Sequence, residues 1–133
     1  MIGHLGIGVG DLAAARSYYD QLMPLVGFEP FLADDDQFAY RPVGGRPGTY
    51  LFVYPAADAS RRFDATAPGL QHLAFMVPRR GAVDAVHRWA AARGDDVVHE
   101  PRQFPEYPPP YYACFWRDPE GFLLEAVCHH DRP

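Results

Sequence analysis

The feature that most constrains this chain is that it repeats itself. His4-Leu5-Gly6-Ile7-Gly8-Val9 and His72-Leu73-Ala74-Phe75-Met76-Val77 share one pattern, and each is followed by a helix-like run, a glycine and strand-like runs. Each half therefore reads β-α-β-β-β, and neither half can close its sheet alone. The expected fold class is α+β, with two βαβββ modules forming a curved mixed sheet and helices outside. At 133 residues the chain has the length of one domain with a real core. The expected organisation is a single domain over 1–133, with module one at 1–56, a linker at 57–68 and module two at 69–130.

The alternation in 2–9 predicts a strand packed on one face. Asp11 is suited to cap a helix running to about Met23, where Pro24 ends or kinks it. Residues 37–42 and 49–55 read as strands around a Gly-rich turn. In the second half, 70–77 reads as a strand and 80–93 as an amphipathic helix, with Val83, Val86, Trp89 and Ala90 on one stripe and Gly94 as its stop. Residues 96–99 read as a short strand, and 111–117 with 122–128 as a hairpin. The long Pro-rich segment 99–110 reads equally as a functional lid or as connecting coil.

Composition removes several functions. A formal charge of −5 argues against a nucleic-acid partner. No apolar run has membrane-spanning length and no secretory pattern opens the sequence, so no membrane partner and a cytoplasmic location are expected. The chain has no lysine, which excludes Schiff-base chemistry and a lysine base. Cys114 and Cys128 form neither a disulfide framework nor a C-x-x-C pair and read as buried thiols.

Asp118-Pro119-Glu120-Gly121 carries type I turn chemistry. With Gly121 left-handed it becomes a three-residue hairpin loop, so that positions summing to 240 face each other. Phe115 then lies opposite Glu125, and Tyr111, Ala113, Phe115 and Arg117 share a face with Leu123, Glu125 and Val127; Tyr112, Cys114 and Trp116 face the other way. A loop of two or four residues reverses this assignment. Glu125 stands between Leu124 and Ala126, and a lone carboxylate in an apolar strand is costly to bury unless it is paired or binds a metal. Two histidines at matching places in a repeat, His4 and His72, with this one late carboxylate, point to a pseudo-symmetric metal site.

With those residues in view, the chain resembles the vicinal oxygen chelate superfamily of glyoxalases, bleomycin-resistance proteins and extradiol dioxygenases. The resemblance is carried by His4 to Leu12, Gly69 to Phe75 and Tyr111 to Glu125. It implies a divalent metal held by His4, His72 and Glu125, and a homodimer in which His4 of one subunit joins His72 and Glu125 of the other. Aligning Gly48-Thr49-Tyr50-Leu51-Phe52 with Gly121 to Glu125 makes Phe52 the counterpart of Glu125. Relatives resembling glyoxalase I or the epimerase carry a ligand there, which phenylalanine cannot be. Two histidines and one carboxylate with open positions suit Fe(II), Mn(II) or Zn(II). Dioxygenase-like relatives carry a tyrosine where this chain has Phe115. Tyr111 lies two strand steps away, roughly 13 Å by strand rise, able to reach substrate as a candidate catalytic group. The expected function is a metal-dependent enzyme, dioxygenase-like or lyase-like, acting on a small oxygenated molecule. Two alternatives stay open: a metal-independent protein binding an aromatic, antibiotic-like ligand against the pocket residues Tyr50, Phe52, Tyr54 and Phe115, and a carrier that keeps the ligands without catalysis.

Overall fold

The structure is a computed structural model and describes residues 1–130. Its strands are β1 (His4–Val9), β2 (Phe28–Ala33), β3 (Phe38–Pro42), β4 (Tyr50–Pro55), β5 (Leu73–Met76), β6 (Asp96–Gln103), β7 (Tyr112–Arg117) and β8 (Leu123–Cys128); its α-helices are α1 (Leu12–Leu25) and α2 (Arg80–Arg93). The chain divides into two compact units, Met1–Arg62 and Phe63–Pro133, with the division inside the 57–68 linker. Each unit is one βαβββ module with one four-stranded mixed sheet, ordered β1-β4-β3-β2 in the first and β5-β8-β7-β6 in the second.

In the first unit Asp11 caps α1, its Oδ1 accepting from the Ala14 N–H at 3.0 Å. The helix buries Ala15, Tyr18, Tyr19, Leu22 and Met23, the i, i+3, i+4, i+7, i+8 stripe of an amphipathic helix. Each large side chain on that stripe contributes roughly 1.5–3 kcal/mol by leaving water. The helix runs two residues beyond Met23 and contains Pro24. A proline in the last turn forfeits only one hydrogen bond, so it does not stop the helix where the sequence suggests. The Tyr40 hydroxyl donates to Asp20 Oδ1 at 2.7 Å, tying β3 to α1.

The second unit repeats these devices. Val83, Val86 and Ala90 form the buried stripe of α2. Gly94 adopts φ +80, and the N–H groups of Gly94 and Asp95 donate to Ala91 O and Ala90 O, closing the helix as the sequence predicts. The Tyr112 hydroxyl donates to Asp84 Oδ1 at 2.6 Å, tying β7 to α2. On that helix-facing side Cys114 Sγ donates to Val83 O, and Trp116 is buried.

Two strands differ from the sequence reading. β2 contains Pro30, which hides it from a strand pattern, and β6 runs on through Pro101 to Gln103. Both are outer strands of their sheets and both carry register shifts beside the proline. A residue without an N–H is tolerated on an edge and protects that edge from further pairing. β5 is shorter than expected, so His72 lies one residue before the strand.

Candidate functional site

The hairpin loop sets the geometry of the second unit's open face. Asp118 Oδ1 accepts from the N–H groups of Glu120 and Phe122, at 3.0 and 2.9 Å, and the Gly121 N–H donates to Asp118 O. Gly121 has φ +95, a value that a side chain rarely adopts. The loop therefore spans three residues and gives the pairs Phe115–Glu125 and Ala113–Val127. Ala113, Val127 and Phe104 form a buried cluster with Tyr111 and Phe115 packed against it, on the face away from α2.

Glu125 is the focus of that face. It lies on β8, an inner strand, beside Ala74 on β5, and is 0% exposed. Its Oε2 accepts a short hydrogen bond from the Tyr111 hydroxyl. Burial first, and this bond second, push the Tyr111 phenol above its ordinary pKa, so it stays a donor. Oε1 is buried and has no hydrogen-bond donor. The nearest imidazole nitrogen, His72 Nε2, stands 3.3 Å from Oε1. The distance suits an ion pair, yet the directions do not make a hydrogen bond. His72 Nδ1 makes a short contact to Gln71 Oε1, leaving Nε2 as the ring nitrogen turned toward Glu125. A carboxylate oxygen without a hydrogen bond and an imidazole nitrogen thus turn toward one spot. Both atom types are ligands that a divalent cation takes together.

The spot opens into a cleft of about 320 Å³ lined by Gln71, His72, Val98, His99, Phe104, Tyr107, Tyr111, Phe115, Leu123 and Glu125. Its walls are mainly aromatic. His99 packs edge-on to Phe104 and Phe115, with ring centroids 5.7 and 5.5 Å apart, and Tyr107 lies against Tyr111 at 4.8 Å. Among the described residues no arginine lines it.

Of the residues singled out from sequence, His72, Glu125, Tyr111 and Phe115 come together here. Tyr111 is nearer than the strand-rise estimate implied. Its Cα lies just before β7, but its side chain reaches back to the carboxylate. His4 belongs to the first unit, where it opens β1 and its ring meets Phe52 at 5.4 Å. Tyr50, Phe52 and Tyr54 share that neighbourhood: Phe52 stacks on Tyr54 at 6.2 Å, and Phe31 packs edge-on to Tyr50 and Phe52. Gly6 pairs with Phe52, as Ala74 pairs with Glu125, so the parallel registers make Phe52 the counterpart of Glu125. Among the described residues, no three His, Cys, Asp or Glu side chains gather to hold one ion. His99, Phe104 and Tyr107 were not singled out from sequence. All three lie in the Pro-rich segment 99–110 whose length suggested a lid, and none of them carried a signal of its own.

A family model described as the Glyoxalase/Bleomycin resistance protein/Dioxygenase superfamily matches residues 1–126. The uncharacterized protein YqjT of Bacillus subtilis (strain 168) is 23% identical over 126 residues, 93% of this chain and 95% of that protein. Among solved structures, a candidate glyoxalase from Bacillus halodurans superimposes with a TM-score of 0.81 at 28% identity, covering 96% of this chain and 95% of that one. A glyoxalase/bleomycin resistance protein from Albidiferax ferrireducens T118 gives 0.74 at 25% identity over 100% and 99%. The lactoylglutathione lyase of Agrobacterium tumefaciens, at 22% identity and 0.66 over 96% and 92%, shares the fold.

Proposed function

The chain belongs to the glyoxalase/bleomycin resistance protein/dioxygenase superfamily, and we propose that within it the protein is a divalent-metal-dependent enzyme, dioxygenase-like or lyase-like, acting on a small oxygenated molecule. The observation that carries this reading is the buried Oε1 of Glu125, without a hydrogen bond, facing Nε2 of His72 at 3.3 Å at the head of an aromatic cleft. His72 and Glu125 would hold the ion together with His4, supplied by a second copy in a homodimer. Fe(II), Mn(II) and Zn(II) all accept this donor set.

When bound, such an ion supplies Lewis acidity to a substrate oxygen. The chain's own residues do the rest. Phe104, Tyr107, Tyr111 and Phe115 form the walls that flank a planar substrate and displace water. The Tyr111 hydroxyl holds its proton against Glu125, and His99 offers an imidazole at the opposite wall. With Phe52 at the position matching Glu125, the fourth ligand of a glyoxalase I or epimerase arrangement is missing, which favours the two-histidine, one-carboxylate set.

Metal analysis of protein purified without chelator tests the reading. Near-stoichiometric metal in the wild type, falling sharply in His72→Ala and Glu125→Gln, supports it. Traces that do not respond to either substitution reject it. A second reading draws on the half-exposed aromatic group Phe31, Tyr50, Phe52 and Tyr54: binding of a flat ligand without metal. Calorimetric titration with planar antibiotics in the presence of chelator separates the two.

A further inference from the structure

We propose that Tyr111 is a positioning residue for Glu125, pinning Oε2 so that Oε1 alone is presented to the cleft. The inference rests on the metal-site reading above and extends it to a residue four places from the strand position opposite the carboxylate. The hydroxyls of Tyr40, Tyr112 and Tyr111 each donate to a carboxylate, and they differ in what they hold. Tyr40 and Tyr112 bond Asp20 and Asp84 on the helices and serve to fasten a helix to a sheet. Tyr111 bonds a carboxylate on the neighbouring strand of its own sheet, on the cleft face, where nothing needs fastening.

The carboxylate is fully buried, and its two oxygens are treated differently: one has a donor and the other has none. An unpinned carboxylate can rotate about its terminal torsion and exchange its oxygens, since that torsion is broad and twofold. A hydrogen bond to one oxygen removes the exchange. Tyr111 is itself held firmly enough to impose this. Its ring packs against Phe104, Tyr107 and His129 with centroids 5.8, 4.8 and 5.1 Å apart, and its carbonyl accepts from the Phe104 N–H at 2.9 Å. An outer partner that orients a ligand is usually worth about 10–100-fold in metal affinity.

The experiment is titration of metal-free protein with Mn(II), followed by calorimetry, for the wild type, Tyr111→Phe and Glu125→Gln, with circular dichroism and thermal melts as checks of folding. The ring-conserving Tyr111→Phe change is expected to weaken Mn(II) binding about 10–100-fold, and Glu125→Gln to abolish it. If Tyr111→Phe binds within twofold of the wild type, or more tightly, while Glu125→Gln binds nothing, the positioning role is overturned and the metal site stands. A lowered melting temperature with unchanged affinity marks a merely structural bond and overturns the role equally. If the wild type binds no Mn(II), the metal reading and this inference fall together. Should Tyr111→Phe not fold, 3-fluorotyrosine placed at position 111 replaces it. Its fluorine resonance should move on addition of Zn(II) and stay fixed in a Glu125→Gln background; a resonance unmoved in both, or moved in both, overturns the role.

Discussion

Replacing Glu125 by methionine should make the metal-free protein more stable. The side chain is 0% exposed, with one hydrogen bond from Tyr111 and an imidazole nitrogen at a distance and direction that give no second one. Exchanging a poorly compensated buried ion for an apolar group of similar volume is neutral or stabilising by about 1–4 kcal/mol. Tyr111 loses its acceptor, which costs about 1 kcal/mol, because its hydroxyl borders a cleft that water enters. The net gain is about 0–3 kcal/mol, centred between about 1 and 2 kcal/mol. For a chain of this length, 1 kcal/mol corresponds to about 4 °C in Tm, so Glu125→Met should melt about 4–8 °C higher in EDTA at matched protein concentration. Adding Mn(II) at about 100 times its Kd should raise the wild type by about 2.7 kcal/mol and leave the variant unmoved, reversing the order. Scanning calorimetry with and without metal reads both effects. A variant that melts well below the wild type in EDTA would refute the reasoning, for it would show that the carboxylate serves the fold rather than a guest.

Three further outcomes follow from the same structure. Burial pushes the Cys114 thiol up to about 12, so it should resist a disulfide reagent at pH 8 in the native protein and react once the chain is unfolded. Burial and the bond to Asp84 raise the Tyr112 phenol from 10.0 to about 12; a raised folded-state value means its contribution is complete below pH 10 and is lost as pH rises through 12, so denaturant melts should fall less over that range in Tyr112→Phe than in the wild type. Gly94→Ala should cost about 1 kcal/mol in the same melts, because an alanine Cβ is strained at the left-handed conformation that closes α2.

The parts that could be read in advance were those where a local rule had no competitor. Asp118, Pro119 and Gly121 leave one comfortable loop, and from that loop the facing of seven side chains follows by alternation. Gly94 and Asp11 mark helix ends by their own chemistry. The failures share a cause: position in the sheet is a tertiary property. Pro30 and Pro101 look like strand breakers until one knows that β2 and β6 are outermost, where a missing N–H costs nothing. Tyr111 was placed by its Cα, and strand rise says nothing of a long ring that folds back along the sheet. His99 and Tyr107 reach the cleft through pairing and loop geometry that no spacing encodes.

Within their sheets, His4 and His72 belong to or adjoin an outermost strand, whereas Glu125 sits on an inner one. To shift that oxygen, two ladders of backbone bonds must yield; to shift an imidazole, only one must. A visitor to the cleft would therefore meet one unyielding contact and one that can follow it, and any adjustment to a larger or smaller guest should be taken up by the histidine side.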